Sequence, residues 1–274
     1  MNYFKRFFSK KEKENPNLIP KEKETIIILK DFYKPRDTRK DKTYLQNRIN
    51  YIYNAQEQSI NTYEKEKEKF GEKYIGTSYL TIIRNNMYCY IFGCYSIGEP
   101  VNHKNDWSNF YKKSFKYFLQ FLDKRTTIYE TVKVVSVGIL LNIEKEYFEQ
   151  LSQKLQKEKV QDYIIDFLVH SQVPEHPVTD QLLFSNEISR RRLKESTEIP
   201  EKDAINILKK YLEEDFYTIE TLPFDYDVHT MPNSTTYNGY WCVEVAAIVK
   251  IIGLDDKTLK DNPYYPYDLV HWQN

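Results

Sequence analysis

Residues 239–272 read GYWCVEVAAIVKIIGLDDKTLKDNPYYPYDLVHW, the most apolar and aromatic stretch of an otherwise polar chain. Five of its side chains fall at helical spacing on one broad face: Trp241, Val245, Ile248, Val249 and Ile252. Gly253 follows this face, and glycine commonly ends helices, so the pattern predicts a helix over 236–253. The aromatic, proline-fixed segment 264–267 is expected to fold back over that helix and close a helical core.

A single acid, Glu244, lies in the middle of this apolar helix, three residues after Trp241. We expect it to be at least partly buried, and a buried carboxylate must be paired, hydrogen-bonded or protonated. We interpret Glu244 as a structural residue bound to an arginine or to tyrosines of the same core. The alternative is a catalytic acid.

The rest of the chain follows the same helical pattern. Only 7 of its 274 residues are glycine, and long Lys- and Glu-rich stretches carry apolar residues at steps of three and four. No segment has a strong strand pattern. The sequence therefore predicts an all-α fold, a multi-helix bundle of roughly eight to ten helices with no substantial sheet.

Three parts of the chain are expected. Residues 1–24 are basic and contain Pro16 and Pro20, which favours a loose tail. Residues 25–150 form an N-terminal helical segment, and residues 151–274 form a C-terminal helical segment. Because no clean linker divides these two segments, we expect them to pack together as one unit.

The formal net charge is zero, but the two ends of the chain differ. Residues 1–50 hold 14 Lys and Arg against 7 Asp and Glu, whereas residues 201–274 hold 6 against 13. The acidic end argues against DNA binding there and is compatible with a basic protein partner. The 3 cysteines do not make a disulfide framework, and the first residues lack the apolar core of a secretory signal. We expect a cytoplasmic protein that does not bind membranes.

The sequence contains no motif for an activated nucleophile, a phosphate-binding loop or a paired metal site. Its 5 histidines are scattered, and we expect them to be surface or capping residues rather than metal ligands. We therefore expect no metal, no cofactor and no enzymatic activity. The competing hypothesis is an enzyme that uses Glu244 or His271 as its acid or base.

One segment is distinctive because its acids are not matched by bases. Residues 213–229 read EEDFYTIETLPFDYDVH and contain no lysine or arginine. Aromatic residues lie among the acids, and this combination favours a binding surface, since rings supply contact area and charges steer a basic partner. The residues predicted to contact a partner are Tyr211, Glu213, Glu214, Asp215, Glu220, Phe224, Asp225, Tyr226 and Asp227. The competing interpretation is an ordinary solvated loop.

Two motifs resemble a known family. GYWCVEVAAIVKIIGLDD followed by NPYYPYDLV is similar to the C-terminal signature of the PoNi immunity proteins, which neutralise PoNe-type DNase toxins in competition between bacteria. The Arg-Asp pair in KPRDTRKDKTYL resembles the pair that precedes the first long helix of that family. The matching positions are Arg36, Asp37, Tyr240, Trp241, Glu244, Tyr265, Pro266 and Asp268. We expect these residues to maintain the fold rather than to contact a toxin.

The resemblance implies an all-helical, non-catalytic inhibitor in the bacterial cytoplasm. Such a protein binds a cognate nuclease toxin and blocks its access to DNA, without binding nucleic acid itself. The placing of the contact surface on the acidic segment is our own inference, because a nuclease cleft must be positive to hold phosphates. The alternative is a general helical adaptor that binds another basic protein partner.

Overall fold

The computed structural model describes residues 33–101, 106–122 and 128–272. Within these ranges the protein contains ten α-helices and no strand, which confirms the predicted all-α fold. None of the described helices is both long and apolar enough to cross a bilayer. The predicted loose tail, residues 1–24, lies outside the described residues.

The helices are numbered in chain order. Their bounds are α1 Lys42–Phe70, α2 Thr77–Ser96, α3 Trp107–Phe121, α4 Ile128–Leu140, α5 Lys145–Glu158, α6 Tyr163–His170, α7 Ile188–Glu198, α8 Glu201–Lys210, α9 Val243–Ile252 and α10 Tyr267–His271. A π-helical turn, Tyr211–Asp215, continues α8, and 3₁₀ turns cover Val228–Thr230 and Lys257–Leu259.

Local signals determine where α1 begins and ends. The side chain of Asp41 accepts a hydrogen bond from the N–H of Tyr44 (2.7 Å), which caps the first turn. At the other end, Gly71 has a φ of 72° and donates its N–H to the carbonyl of Lys67 (2.8 Å). After this turn α2 packs along α1, and α3 packs on α2.

The centre of the protein is the pair of helices α4 and α9. Every residue from Val243 to Val249 is buried, and α4 is buried almost throughout. A helix that is apolar on all sides must be enclosed by other helices, and α4 indeed contacts α2, α6 and α9. Buried residues from all ten described helices join one cluster around this pair.

Helix α9 is shorter than its sequence pattern predicts. It begins at Val243 because the preceding residues 236–242 make other contacts. Gly239 has a φ of 105°, which is incompatible with a right-handed helix, and the N–H of Cys242 donates to the carbonyl of Tyr264 (2.8 Å). The predicted start near residue 236 is therefore wrong.

The apolar residues of LLFSNEISRRRLK, residues 182–194, favour a helix over that whole range, but α7 begins later. The N–H of Leu183 donates to the carboxylate of Asp162 (3.0 Å), and the carbonyl of Leu183 accepts from Arg190 (2.8 Å). Because both backbone groups of Leu183 bind side chains, they are not available for helical bonds. The helix accordingly begins at Ile188.

Candidate partner-binding surface

The acidic segment predicted from the sequence lies at the end of α8 and in the loop that leads towards α9. Within it, Glu213, Glu214 and Glu220 are exposed, and Asp225 is partly buried. Phe224 is 89% exposed, more than any other large apolar side chain in the described residues. The structure therefore presents three exposed carboxylates and one exposed ring on a single segment.

Two acids of the segment are held by one arginine. Arg192 on α7 donates to Asp215 (2.6 Å) and to Glu214 (2.8 Å). Burial lowers the pKa of Arg192, but the hydrogen bonds to these two carboxylates outweigh that effect and raise it. By contrast, Glu213 has only a 3.9 Å contact with Lys209 one helical turn away, and such exposed pairs contribute little in water.

Beneath the acids lies a layer of aromatic rings. Tyr217 stacks on Tyr264, with 5.1 Å between ring centroids, and lies 4.9 Å from both Tyr226 and Tyr240. The hydroxyl of Tyr217 donates to Asp227 (2.6 Å), and burial together with this bond raises the pKa of Tyr217. Tyr226 and Asp227, both predicted contact residues, are therefore partly buried in the framework that shapes the loop.

Tyr211 is a core residue, which corrects its prediction as a contact residue. Only 2% of its surface is accessible, and its hydroxyl donates to Oε1 of Glu244 (3.0 Å). A side chain enclosed in this way cannot contact a partner across the surface. The same bond supplies the core tyrosine that the sequence predicted as a partner for Glu244.

Two further exposed apolar residues in this loop were missed by the sequence reasoning. Ile219 is 60% exposed and Met231 is 52% exposed. A single exposed apolar side chain is ordinary, but several on one loop with Phe224 are typical of interaction surfaces. The sequence signal that could have revealed them is that both apolar residues lie in a polar segment that has no helical apolar face.

The residues that carry the family resemblance connect distant parts of the chain. The guanidinium of Arg36 donates to Asp268 (2.7 Å) and to the carbonyls of Tyr95 (3.1 Å) and Glu99 (2.8 Å). It also lies 4.4 Å from the centroid of the Tyr95 ring. The segment before α1 is therefore fixed to α10 and to the end of α2.

A second group of contacts extends from Asp37, which is buried. Its carboxylate accepts from the hydroxyl of Tyr237 and from the N–H (2.9 Å) and guanidinium (3.2 Å) of Arg39. Burial, followed by the charge of Asp37, raises the pKa of Tyr237. Tyr240, another position of the family resemblance, makes a separate contact: its hydroxyl lies 3.0 Å from Nδ1 of His229.

Ser96, at the end of α2, links the two motifs and was missed by the sequence reasoning. Its hydroxyl accepts from the indole of Trp241 (2.8 Å) and donates to the carbonyl of Asn238 (2.8 Å). Its carbonyl accepts from the N–H groups of Arg36 (2.9 Å) and Asp37 (3.1 Å). A serine at a helix end gives no signal of this role in the sequence.

The two residues proposed as acid or base for an enzyme have different partners. His271 lies 2.9 Å from the carboxylate of Asp256, which also accepts from the hydroxyl of Tyr265 (2.6 Å). Pro266 directly precedes α10 and positions this helix end. Glu244, a residue of α9, accepts instead from the hydroxyl of Tyr211. The structure therefore does not join Glu244 to His271 in one hydrogen-bonded pair.

One buried polar network was not expected. Nδ1 of His176 lies 2.8 Å from the hydroxyl of Ser152, and Nε2 lies 3.1 Å from Asp166. These are the residue types of a hydrolase triad, but all three are 2 to 4% exposed, so no substrate reaches them. The expectation of a surface or capping role is wrong for His176, which instead ties α5 to α6. Among the residues that the structure describes, this network included, no three His, Cys, Asp or Glu side chains cluster as metal ligands.

Comparison with known proteins finds similarity over most of the chain. Two models of the PoNe immunity protein (PoNi) family match, the N-terminal model over residues 19–153 and the C-terminal model over residues 160–269. The crystal structure of protein PA2201 from Pseudomonas aeruginosa is similar, with a TM-score of 0.61, 16% identity, and coverage of 87% of this chain and 90% of that chain. At this identity the likeness shows a shared fold alone. A comparison with curated proteins finds no match.

Proposed function

The chain belongs to the family of PoNe immunity proteins, and from this membership we propose that it neutralises a cognate nuclease toxin by covering the toxin's basic DNA-binding cleft. In this proposal the protein acts in the cytoplasm of the producing bacterium and has no catalytic activity. It inhibits by occupying the surface that DNA would otherwise contact.

The observation that carries this mechanism is the composition of the exposed segment. Residues 211–227 include six acids and no lysine or arginine, Glu213 and Glu220 are exposed, and the contact of Glu213 with Lys209 is a long one of 3.9 Å. A nuclease must present positive groups to DNA phosphates, so an acidic surface of this kind is complementary to its cleft. Phe224 adds an apolar group that can exclude water at the centre of the contact.

The first experiment is a rescue assay. The nuclease encoded beside this gene would be expressed in a laboratory bacterium with and without this protein, and growth and chromosomal DNA would be followed. Survival with intact DNA, together with co-purification of the two proteins, is expected. Loss of DNA despite good expression of the folded protein would contradict the proposed pairing.

A second experiment tests the contact surface separately. Glu213→Lys, Glu214→Lys and Glu220→Lys would be combined and compared with a triple variant of equal charge change at Glu68, Glu72 and Glu146, which lie on α1, the α1–α2 loop and α5. The first variant should associate with the toxin at least about tenfold more slowly at low salt, and the difference should shrink at high salt. Equal behaviour of the two variants would contradict the location of the surface and leave the immunity function standing.

A further inference from the structure

Two exposed apolar residues, Phe184 and Ile188, lie where the loop before α7 enters that helix. They are 51% and 54% exposed and form what we call the apolar pair. The ring of Phe184 stacks on the ring of Tyr129, with 5.7 Å between the centroids, which restricts the position of the exposed ring. Single exposed apolar side chains are ordinary, whereas neighbouring ones are typical of interaction surfaces.

The backbone at Phe184 has a conformation that is unfavourable for its side chain. Its φ of 56° lies in the left-handed region, which bulky residues rarely adopt. Before it, both backbone groups of Leu183 are bound by side chains. After it, the N–H of Glu187 donates to the carbonyl of Phe184 (3.0 Å), and Arg191 donates to the carbonyl of Ser185 (2.7 Å). Strain of this kind persists where the surrounding structure enforces it, and it is concentrated at binding sites.

The apolar pair adjoins the acidic segment. Ile188 and Arg192 are one helical turn apart on the same side of α7, and Arg192 donates to Glu214 (2.8 Å). Ser189, the next residue of α7, lines one small cavity together with Thr221 of the acidic segment. The start of α7 and the acidic segment therefore form one continuous stretch of surface.

The acidic segment is too small to form a stable interface by itself. Six of its residues are exposed: Glu213, Glu214, Ile219, Glu220, Pro223 and Phe224. A stable protein–protein interface takes roughly 20–30 residues from each side. A partner that binds the segment must therefore also contact the surface around it, and the apolar pair is part of that surface.

We propose that the toxin contact extends from the acidic segment across the start of α7, where Phe184 and Ile188 fill an apolar depression beside the toxin's basic cleft. This inference rests on the proposed function. Aromatic side chains held in one position make strong contacts in interfaces, because they bury a large area and lose little freedom on binding.

The charges beside the apolar pair favour an apolar depression over the cleft itself. Arg191 is exposed, and its charge would oppose the positive groups of a nuclease cleft. Glu187 is partly buried and accepts a hydrogen bond from the hydroxyl of Tyr129. The toxin surface is therefore expected to change from positive opposite the acidic segment to apolar opposite Phe184.

The test removes the ring and keeps the turn. Phe184→Asn introduces a residue that adopts the left-handed conformation far more readily, so the backbone should be retained. Affinity for the purified nuclease encoded beside this gene would be measured by calorimetry, and folding by thermal unfolding. Phe184→Asn should weaken binding at least about tenfold and shift the Tm by less than about 3 °C. Ile188→Ala should weaken binding at least about threefold.

Matched controls lie at the end of α1 and in the loop that follows it. Phe70 is 57% exposed, and its ring also stacks on a tyrosine, Tyr74, with 5.9 Å between the centroids. Tyr74 packs on a core cluster separate from the one under the acidic segment. Phe70→Asn and Ile75→Ala make the same changes at these exposed sites and should alter affinity by less than about twofold.

Equal affinities of Phe184→Asn and Phe70→Asn would overturn the inference and leave the proposed function standing. The same holds if sedimentation shows a dimer of the wild type that Phe184→Asn dissociates while toxin affinity is unchanged, because a second copy would then cover the apolar pair. If Phe184→Asn does not fold, unchanged binding by Ile188→Ala would overturn the inference. Failure of the wild-type protein to bind the nuclease would instead overturn the proposed function and the inference with it.

Discussion

Replacing Asp162 with alanine is expected to be among the most destabilising single changes in this protein. Asp162 is 0% exposed and Arg190 is 3% exposed. One guanidinium nitrogen of Arg190 donates to both carboxylate oxygens at 2.7 Å, and Asp162 also accepts from the N–H groups of Ile165 (3.3 Å) and Leu183 (3.0 Å). This one side chain therefore caps α6, fixes the loop before α7 and neutralises a buried cation.

The expected magnitude follows from these contacts. Removing one partner of a buried ion pair costs about 3–5 kcal/mol, because the other charge stays buried without compensation. Loss of the N-cap of α6 costs about 1 kcal/mol, and the two terms overlap. We expect Asp162→Ala to lower the free energy of unfolding by about 4 kcal/mol. The free energy of unfolding of a folded protein is typically about 5–15 kcal/mol, so this loss is a large part of it.

Urea unfolding followed by circular dichroism would measure this change. Asp162→Asn retains an acceptor for the cap and should cost less than Asp162→Ala. The double variant Asp162→Ala, Arg190→Met removes both charges of this pair and should recover part of the loss. Lys145→Ala removes a mostly exposed pair with Glu149 (3.3 Å) and should change stability by about 0.5 kcal/mol or less.

The reasoning would be refuted if Asp162→Ala cost less than about 1.5 kcal/mol, the upper range of an ordinary neutral hydrogen bond. It would also be refuted if the double variant were less stable than Asp162→Ala. Either result would mean that the charge of Arg190 is hydrated in the folded protein. The ion pair of Asp162 and Arg190 would then not be the contact that holds α7, and Arg192 on it, in place behind the acidic segment.

Three further predictions address the surface, the backbone and the effect of pH. Phe224→Ser should weaken toxin binding by at least about tenfold and change the free energy of unfolding by less than about 0.5 kcal/mol. The control, Phe70→Ser, changes an exposed residue at the end of α1 and should alter neither binding nor stability. Equal affinities of the two variants in a binding assay would contradict this prediction. Gly239→Ala should lower the Tm by about 5–10 °C in a thermal scan, because φ is 105° and the added methyl carbon would lie 2.2 Å from the hydroxyl of Ser96 and 2.4 Å from the indole nitrogen of Trp241. Burial lowers the pKa of Lys250 to about 8, below the roughly 10.4 of an unfolded lysine, so between these values the unfolded chain binds more protons and stability contributed by this group rises with pH. The urea midpoint of the wild type should therefore rise relative to that of Lys250→Met between pH 7.5 and 9.5, and a parallel course of the two curves would exclude this role.

The helices that the sequence predicts well are those determined by local signals. For α1, the apolar period, the capping Asp41 and the terminal Gly71 all lie within the helix or next to it. The starts of α7 and α9 were misplaced because their backbone groups bind residues far along the chain, Asp162 and Tyr264. No pattern within a window of ten or twenty residues contains that information.

For the candidate surface too, some features are visible in the sequence and others depend on how the helices pack. An unbalanced run of acids is visible in the sequence, and so is the aromatic content of the segment. That Asp215 is bound by Arg192, or that Tyr211 faces Glu244 in the core, depends on which helices pack together. The sequence therefore suggests the segment as a candidate surface but not which of its members are accessible, because in the sequence every acid and ring looks equally exposed.

The position of the acidic segment, between a buried framework and solvent, bears on how tightly it can bind. Its beginning is held by the bond of Arg192 to Asp215, and its end by the bond of Tyr217 to Asp227 and by the rings below them. Ordering a loop during association costs free energy, and a loop that is already fixed avoids much of that cost. The exposed Glu213, Glu220 and Phe224 are then presented in one arrangement, so charge and apolar contact act together on a partner of matching shape. This rigidity connects the aromatic core, which maintains the fold, to the acidic surface, which we propose recognises the toxin.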